Sequence, residues 1–322
     1  MNKIIITALS LCASLYAYDE NIFKLDILKG KEFDIYLYSS KKTHTSYGLV
    51  QNKQKQYSFW GSARNGEYYI DIADFGTCAL KNTFQNKFKA LCKINEEKKE
   101  LDFLSLQSKA KIYQVSVKKE KKLQNDKSIE FDFSEDILKF SSADKKLMQI
   151  IDDFNENLDQ NSLKQKAKEN LEKWQKEENI SNEFFSQAFV FYQDAHVISL
   201  GKNIYEYKGG AHGMTHIIRK TYNIDDMKLL RLKKELKLDN EDFQEMMKQK
   251  ITSLYDVKEL FDLKEFKMSE IFELREDGIN FIWEPYEIAP YSTGVVEVFV
   301  SFEELKPFWK SNSKLAYLSL IK

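Results

Sequence analysis

The sequence contains no apolar run of transmembrane length. Its longest candidate, Ile4 to Leu15, has about a dozen residues, whereas a spanning helix needs about 20. Charge of one sign is also missing, because 49 Lys and Arg stand against 50 Asp and Glu. No basic stripe interrupts this balance, and nucleic-acid binding depends on clustered Lys and Arg. These absences predict a soluble mature chain and exclude nucleic acid as its partner.

The first 17 residues have the three parts of a secretory signal peptide. Lys3 supplies the positive n-region, Ile4 to Leu15 the apolar h-region, and Ala17 a small residue before the predicted cleavage. We therefore expect a periplasmic or secreted protein. A lipoprotein attached through Cys12 is disfavoured because bulky Leu11 precedes the cysteine. An uncleaved anchor is disfavoured by the shortness of the run.

Cysteine is scarce as well, with three residues in the chain. Cleavage removes Cys12 and leaves Cys78 and Cys92. An even pair in an exported protein is typical of a disulfide, and we predict this bond. Two buried free thiols are the alternative. No histidine is near either cysteine in the sequence, so we expect no metal site there.

The N-terminal half has the pattern of short strands. Phe33, Ile35 and Leu37 alternate along one predicted strand. Asn65-Gly66 separates two further runs and favours a two-residue hairpin turn. We predict a small, mainly β domain over residues 18–118. The charged stretch that follows predicts a linker or connecting segment at 119–139. An exposed strand-to-strand loop within one larger domain is the alternative.

The rest of the chain, residues 140–322, mixes helical and strand periodicity. Apolar residues recur at helical spacing from Leu147 and again from Leu163, the second with a predicted capping box of Ser162 and Gln165. The predicted fold class is α+β, in which the N-terminal β domain precedes an α+β domain with an antiparallel sheet and packed helices. A third helix is predicted after Asp239 or Asn240, a short helix capped by Ser301 and Glu304 near the end, and strands at 184–192, 196–200, 215–222, 279–283 and 295–300.

Two strings stand out in this second part. One is YEYKGGAHG, from Tyr205 to Gly213, and the other is FIWEPYEIAPY, from Phe281 to Tyr291. In this order and separation they resemble the paired extracytoplasmic domains of RsiV-type anti-sigma factors. The same pair accompanies the catalytic domain of PdaC-type peptidoglycan deacetylases. The resemblance covers about residues 140–310, and either string alone would be weak.

The resemblance implies an extracytoplasmic recognition module. In the RsiV type this module recognises lysozyme, so lysozyme or peptidoglycan is the expected partner. The sequence begins with a predicted cleavable signal instead of a sigma-binding segment and a long membrane helix, and it has no polysaccharide-deacetylase domain. We therefore carry over neither an anti-sigma role nor deacetylation. Fold likeness by itself does not determine function.

The candidate ligand-binding residues come from both strings. Tyrosine is favoured at recognition sites because it brings a large contact area at low entropic cost. The alternative is that these tyrosines pack a proline-stiffened loop onto the sheet. Tyr207, His212, Glu284, Tyr286 and Tyr291 are the predicted ligand-binding residues, and Gly209, Gly210 and Gly213 are the predicted turn residues, where positive φ or close backbone approach requires glycine.

The leading functional hypothesis is a non-catalytic binding protein of the cell envelope. A cell-wall hydrolase that uses His212 with a carboxylate such as Glu284 is the alternative, and a purely structural envelope component is a third.

We predict no metal and no cofactor. His212 and His216 would lie about 13 Å apart on a strand, too far to share an ion, and no Walker or Rossmann context surrounds the glycines. A triad of Asp194, His196 and Ser199 is excluded because adjacent strand residues cannot adopt its geometry.

Overall fold

The computed structural model describes residues 18–52, 55–122, 128–142, 144–177, 181–263 and 266–320. The predicted signal peptide and Cys12 lie outside the described residues, as do residues 123–127 of the predicted connecting segment. Within the described ranges, no helix is long and apolar enough to cross a membrane.

The first eight strands form a closed antiparallel barrel. Each strand pairs with the next one along the chain, and the eighth returns to pair with the first. The strands are β1 (Asp19–Lys29), β2 (Asp34–Ser40), β3 (Thr45–Gln51), β4 (Gln56–Arg64), β5 (Glu67–Ile72), β6 (Gly76–Phe84), β7 (Lys87–Ile94) and β8 (Glu97–Lys122).

Local sequence signals account for much of the barrel. The predicted hairpin is confirmed, since Asn65 and Gly66 both have positive φ, 53° and 78°, between β4 and β5. Positive φ at both central residues is the requirement of a type I′ turn, which matches the twist of the strands. The predicted face of Phe33, Ile35 and Leu37 is buried in the barrel interior.

The predicted disulfide between Cys78 and Cys92 is confirmed. The two residues face each other across β6 and β7, and both are buried among the apolar side chains that fill the barrel. The bond closes a loop with a sequence separation of 14. In the chain-entropy model, closing a loop of this length raises the free energy of unfolding by about 3 kcal/mol.

The sheet continues beyond the barrel into the second half of the chain. β8 is 26 residues long, and its second half pairs with β9 while its middle pairs with β1. β9 and β10 pair in parallel, and antiparallel strands complete a 13-stranded sheet. The added strands are β9 (Ser128–Phe140), β10 (Asn182–Gln193), β11 (Val197–Tyr207), β12 (Met214–Asn223) and β13 (Lys228–Leu229), and a separate sheet holds β14 (Ile271–Arg275), β15 (Gly278–Trp283) and β16 (Val296–Ser301).

The predicted α+β class, with a small β domain before an α+β domain, is wrong. Strands hold 52% of the residues and helices 22%, so the protein is mostly β, a closed barrel with additional strands. The charged stretch conceals part of this architecture. Residues 119–122 end β8 and residues 128–139 lie in β9, where Ile129 and Phe131 alternate inward between charged neighbours. The division into domains stays a prediction.

The first two helices pack on the long sheet, and the last two pack on the three-stranded sheet. The predicted stripe from Leu147 to Phe154 is buried, and Asp144 caps its helix. The predicted capping box at Ser162 and Gln165 is wrong, because Asp159 accepts the backbone N–H groups of residues 161 and 162 one turn earlier. The helices are α1 (Lys145–Phe154), α2 (Gln160–Glu177), α3 (Leu232–Glu235), α4 (Glu241–Leu254, capped by Asn240) and α5 (Phe302–Leu305, with the predicted Ser301–Glu304 capping box).

The three-stranded sheet is attached to β11 and β12 through buried polar contacts. The Leu274 backbone N–H donates to Ser199 Oγ at 3.1 Å. Arg219 of β12 donates from Nε to Glu273 Oε2 at 2.7 Å, and Arg275 donates from Nη2 to the other oxygen of Glu273 at 3.0 Å. The pairing of these charges offsets part of the free-energy cost of removing them from water. The attachment places the end of β15 beside the start of β12.

Candidate ligand-binding site

The glycine string forms the loop between β11 and β12. Gly209 and Gly210 have φ of 83° and 95°, a region that favours glycine. The Tyr207 hydroxyl donates to the Gly210 carbonyl at 3.1 Å. Gly213 is buried, and a Cβ there would lie 2.4 Å from the Tyr205 ring. Each glycine therefore has a local reason, either backbone conformation or close contact.

His212 lies at the surface against the second string. Its ring stacks on Tyr291, with 4.0 Å between the ring centroids and an interplanar angle of 20°. His212 Nδ1 is 3.0 Å from the Gly213 carbonyl oxygen, and the Tyr291 hydroxyl donates to the same oxygen at 2.8 Å. The two strings, 78 residues apart at this bond, thus share one carbonyl.

Tyr286 extends this stack into solvent. Its ring centroid is 6.0 Å from that of Tyr291, and 55% of the residue is exposed. It has a φ of 75° although it is not glycine, and its backbone N–H donates to the Ala289 carbonyl at 2.8 Å. A bulky residue at positive φ is unusual. The tight turn therefore holds an exposed aromatic ring in a defined position.

Glu284 has a different role from the one expected in a hydrolase. Its Oε1 accepts the Ile217 backbone N–H at 2.7 Å and lies 3.9 Å from His216 Nδ1. Its own backbone N–H donates to Glu287 Oε2 at 2.6 Å, and burial, with the nearby Glu284 charge, raises the pKa of Glu287. Within the described residues, His212 forms no ion pair with a carboxylate. The structure thus places the predicted histidine on an aromatic ring and Glu284 on a backbone amide.

Sequence reasoning missed three side chains at this surface. Tyr205 packs under Gly213 and lies 6.3 Å from Phe185 between ring centroids, as cross-strand partners on β11 and β10. His216 is near Glu284 through the register of β12. The aromatic character of Tyr205 and Phe185 was visible in the sequence, but their pairing depends on strand register. No three of His, Cys, Asp and Glu cluster as metal ligands in the part of the chain that the structure describes.

We refer to Tyr207, His212, Tyr286 and Tyr291 together as the aromatic surface.

Two family models match the chain around the aromatic surface. A model described as "Deacetylase PdaC" matches residues 124–215, and "Protein of unknown function (DUF3298)" matches residues 225–303. The predicted resemblance is confirmed in this form, without the RsiV type being named. The glycine string falls in the first match and the tyrosine string in the second.

Two solved structures are similar to this chain. A DUF3298 family member from Bacteroides fragilis has a TM-score of 0.44 and 17% identity, with 64% of this chain and 95% of that chain covered. A DUF3298 family protein from Pseudomonas aeruginosa has a TM-score of 0.45 and 19% identity, with 62% and 94% covered. Among curated proteins, none matches this sequence.

Proposed function

We propose that this chain is a non-catalytic binding protein of the cell envelope, and that its aromatic surface recognises the glycan of the cell wall. The observation that carries the proposal is Tyr286, a ring exposed by 55% and held at a φ of 75°. Backbone strain of this kind costs on the order of 1–3 kcal/mol and clusters at ligand clamps. Because the ring is exposed, packing does not account for this strain, and a role in binding accounts for it better.

The chemistry of the surface suits a sugar. The apolar faces of pyranose rings pack against aromatic rings, and hydroxyl groups around their edges seek polar partners. Tyr291 and His212 form a preordered stack, and the Tyr286 hydroxyl makes no hydrogen bond within the described residues. A preordered site loses little side-chain entropy when it binds. The match to the deacetylase-associated segment adds support for a ligand in the cell wall.

The experiment is co-sedimentation with purified peptidoglycan, followed by calorimetric titration with a soluble chitin oligosaccharide. Tyr286→Ala should weaken binding by about 30-fold, the effect of a hot-spot residue worth about 2 kcal/mol. Tyr69→Ala is the matched control, because Tyr69 is similarly exposed, at 52%, on the outside of the barrel. Equal retention of wild type and Tyr286→Ala would exclude the aromatic surface as the glycan site.

Lysozyme, the partner implied by the RsiV-type resemblance, is the second ligand in the same assay. Binding of lysozyme that is lost in Tyr286→Ala, with no binding of glycan, would replace the glycan by a protein partner at the same surface. The hydrolase alternative is tested by incubating the protein with peptidoglycan and analysing soluble fragments. Release of fragments that His212→Ala abolishes would overturn the non-catalytic proposal.

A further inference from the structure

β16 is the outer strand of the three-stranded sheet. Within the described residues it pairs with β15 alone. A groove of about 550 Å³ lies along this strand, and no residue of the aromatic surface lines it. Its apolar lining includes Phe299 of the strand, Leu254 at the end of α4, Phe302 at the start of α5 and Leu318 of the C-terminal segment.

Alternate residues of β16 present their backbone N–H and C=O groups at the free edge of the sheet. The Glu297 backbone N–H donates to the Tyr255 hydroxyl at 3.0 Å, and the Ser301 N–H donates to Glu304 Oε2 at 3.0 Å. Both N–H groups therefore point away from β15. Because strand residues two apart point the same way, Phe299 also presents its N–H and C=O outward. Within the described residues these two groups have no hydrogen-bond partner.

The charges around the groove are mostly paired. Lys250 lies 2.7 Å from Glu304, and Lys306 lies 2.5 Å from Glu303. Lys55 is exposed and also lines the groove, but its ammonium has no partner among the residues that the structure describes. Asp277 also lines the groove, so three lysines and three carboxylates balance there in formal charge. The groove therefore has an unpaired backbone donor and acceptor, an apolar lining and, among the described residues, one exposed ammonium group without an ion-pair partner.

We propose that this edge binds an extended polypeptide segment that ends in a free carboxylate. One residue of the segment would exchange both backbone hydrogen bonds with Phe299, as in strand addition to a sheet edge. An apolar side chain of the segment would enter the groove beside Leu254, and its terminal carboxylate would pair with Lys55. This site is separate from the aromatic surface and does not depend on the proposed glycan binding.

The test uses an array of random hexapeptides, each with a free carboxylate and as the C-terminal amide, followed by fluorescence anisotropy of the best binder with the full chain. We expect the amide to bind about tenfold more weakly, which corresponds to one charge-assisted contact. Lys55→Ala should reduce binding of the free acid to the level of the amide, and Tyr286→Ala should leave it unchanged.

Phe299→Pro removes an N–H that points away from β15, so no hydrogen bond to β15 is lost. Proline is tolerated at an edge position of this kind. This substitution should reduce peptide binding by at least about tenfold, whereas the matched control Phe299→Leu, which keeps the N–H, should bind within about threefold of wild type. Methylating the peptide nitrogens one at a time, with wild-type protein, should weaken binding at one position, the nitrogen that donates to the Phe299 carbonyl. Absence of binding in the whole array, equal binding of Phe299→Pro and Phe299→Leu, or tolerance of methylation at every position would each overturn the proposal.

Discussion

Asp136 is a buried acid whose ionisation should lower the stability of the folded protein. It lies in β9 and has no exposed surface. Its carboxyl group accepts hydrogen bonds from Gln114 Nε2 at 2.9 Å, from the Tyr47 hydroxyl at 3.2 Å and from the Ala188 backbone N–H at 3.3 Å. It thus connects the barrel strands β3 and β8 to β10. Burial raises its pKa from 3.8 to about 7, although these hydrogen bonds favour the charged form.

The direction of the effect follows from proton binding. Between pH 3.8 and about 7 the unfolded chain has lost the Asp136 proton while the folded chain still holds it. The folded state therefore binds more protons, and the free energy of unfolding falls as the pH rises through this window. One pKa unit corresponds to 1.36 kcal/mol, so the total contribution lost is about 4 kcal/mol.

Asp136→Asn removes this ionisation and keeps the shape of the side chain. The amide oxygen can accept from Ala188 and Tyr47, and the amide nitrogen can donate to Gln114 after its side-chain amide rotates. At pH 4 the variant and wild type should have similar stability. At pH 7.5 the variant should be more stable by up to about 4 kcal/mol.

The assay is urea unfolding of wild type and Asp136→Asn at pH 4, 5, 6, 7 and 7.5. The difference between the two unfolding free energies cancels the titration of groups that the substitution leaves unaltered. This difference should grow steadily from pH 4 to about 7 and then level off. A difference that is constant with pH would refute the reasoning, because it would mean that the folded and unfolded chains ionise this group alike.

Three further substitutions test the packing. Replacing both Cys78 and Cys92 by Ala should lower the unfolding free energy by about 3 kcal/mol in urea titrations, and a change below about 1 kcal/mol would contradict the loop-closure argument. Arg219→Met should cost about 3–5 kcal/mol, because it leaves buried Glu273 with less compensation. The exposed Arg231→Met is its control, expected within about 0.5 kcal/mol of wild type. Gly213→Ala should cost about 1–3 kcal/mol in thermal melts through its clash with Tyr205, whereas unaltered stability would show that the ring moves freely aside.

Local features of the fold were predictable because neighbouring residues determine them. The Asn65-Gly66 hairpin and the cap at Asn240 each depend on a few adjacent residues. The barrel was not predictable, because its closure depends on β1 pairing with residues 104–116 of β8. The charged end of β8 also has too few apolar residues to show that the strand continues. Asp159 was missed as a cap because Ser162 offered a plausible alternative three residues later.

For the candidate site, the residue types were visible but their contacts were not. The predicted ligand-binding residues all lie in the two strings, namely Tyr207, His212, Glu284, Tyr286 and Tyr291. Nothing in either string indicates that His212 would stack on Tyr291, or that Glu284 would accept a backbone N–H from β12. Those contacts depend on where β15 ends relative to β12, which the buried Arg219–Glu273 pair fixes.

The Gly213 carbonyl explains why the two strings belong together. It lies within hydrogen-bonding distance of His212 Nδ1 in its own loop and accepts the Tyr291 hydroxyl from the other string. The close packing of Gly213 on Tyr205 fixes the position of this carbonyl. Without the second string the His212 ring would have no stacking partner, and without the first the Tyr291 hydroxyl would lose its acceptor. The aromatic surface is therefore a property of the two matched segments in contact, and neither segment can form it alone.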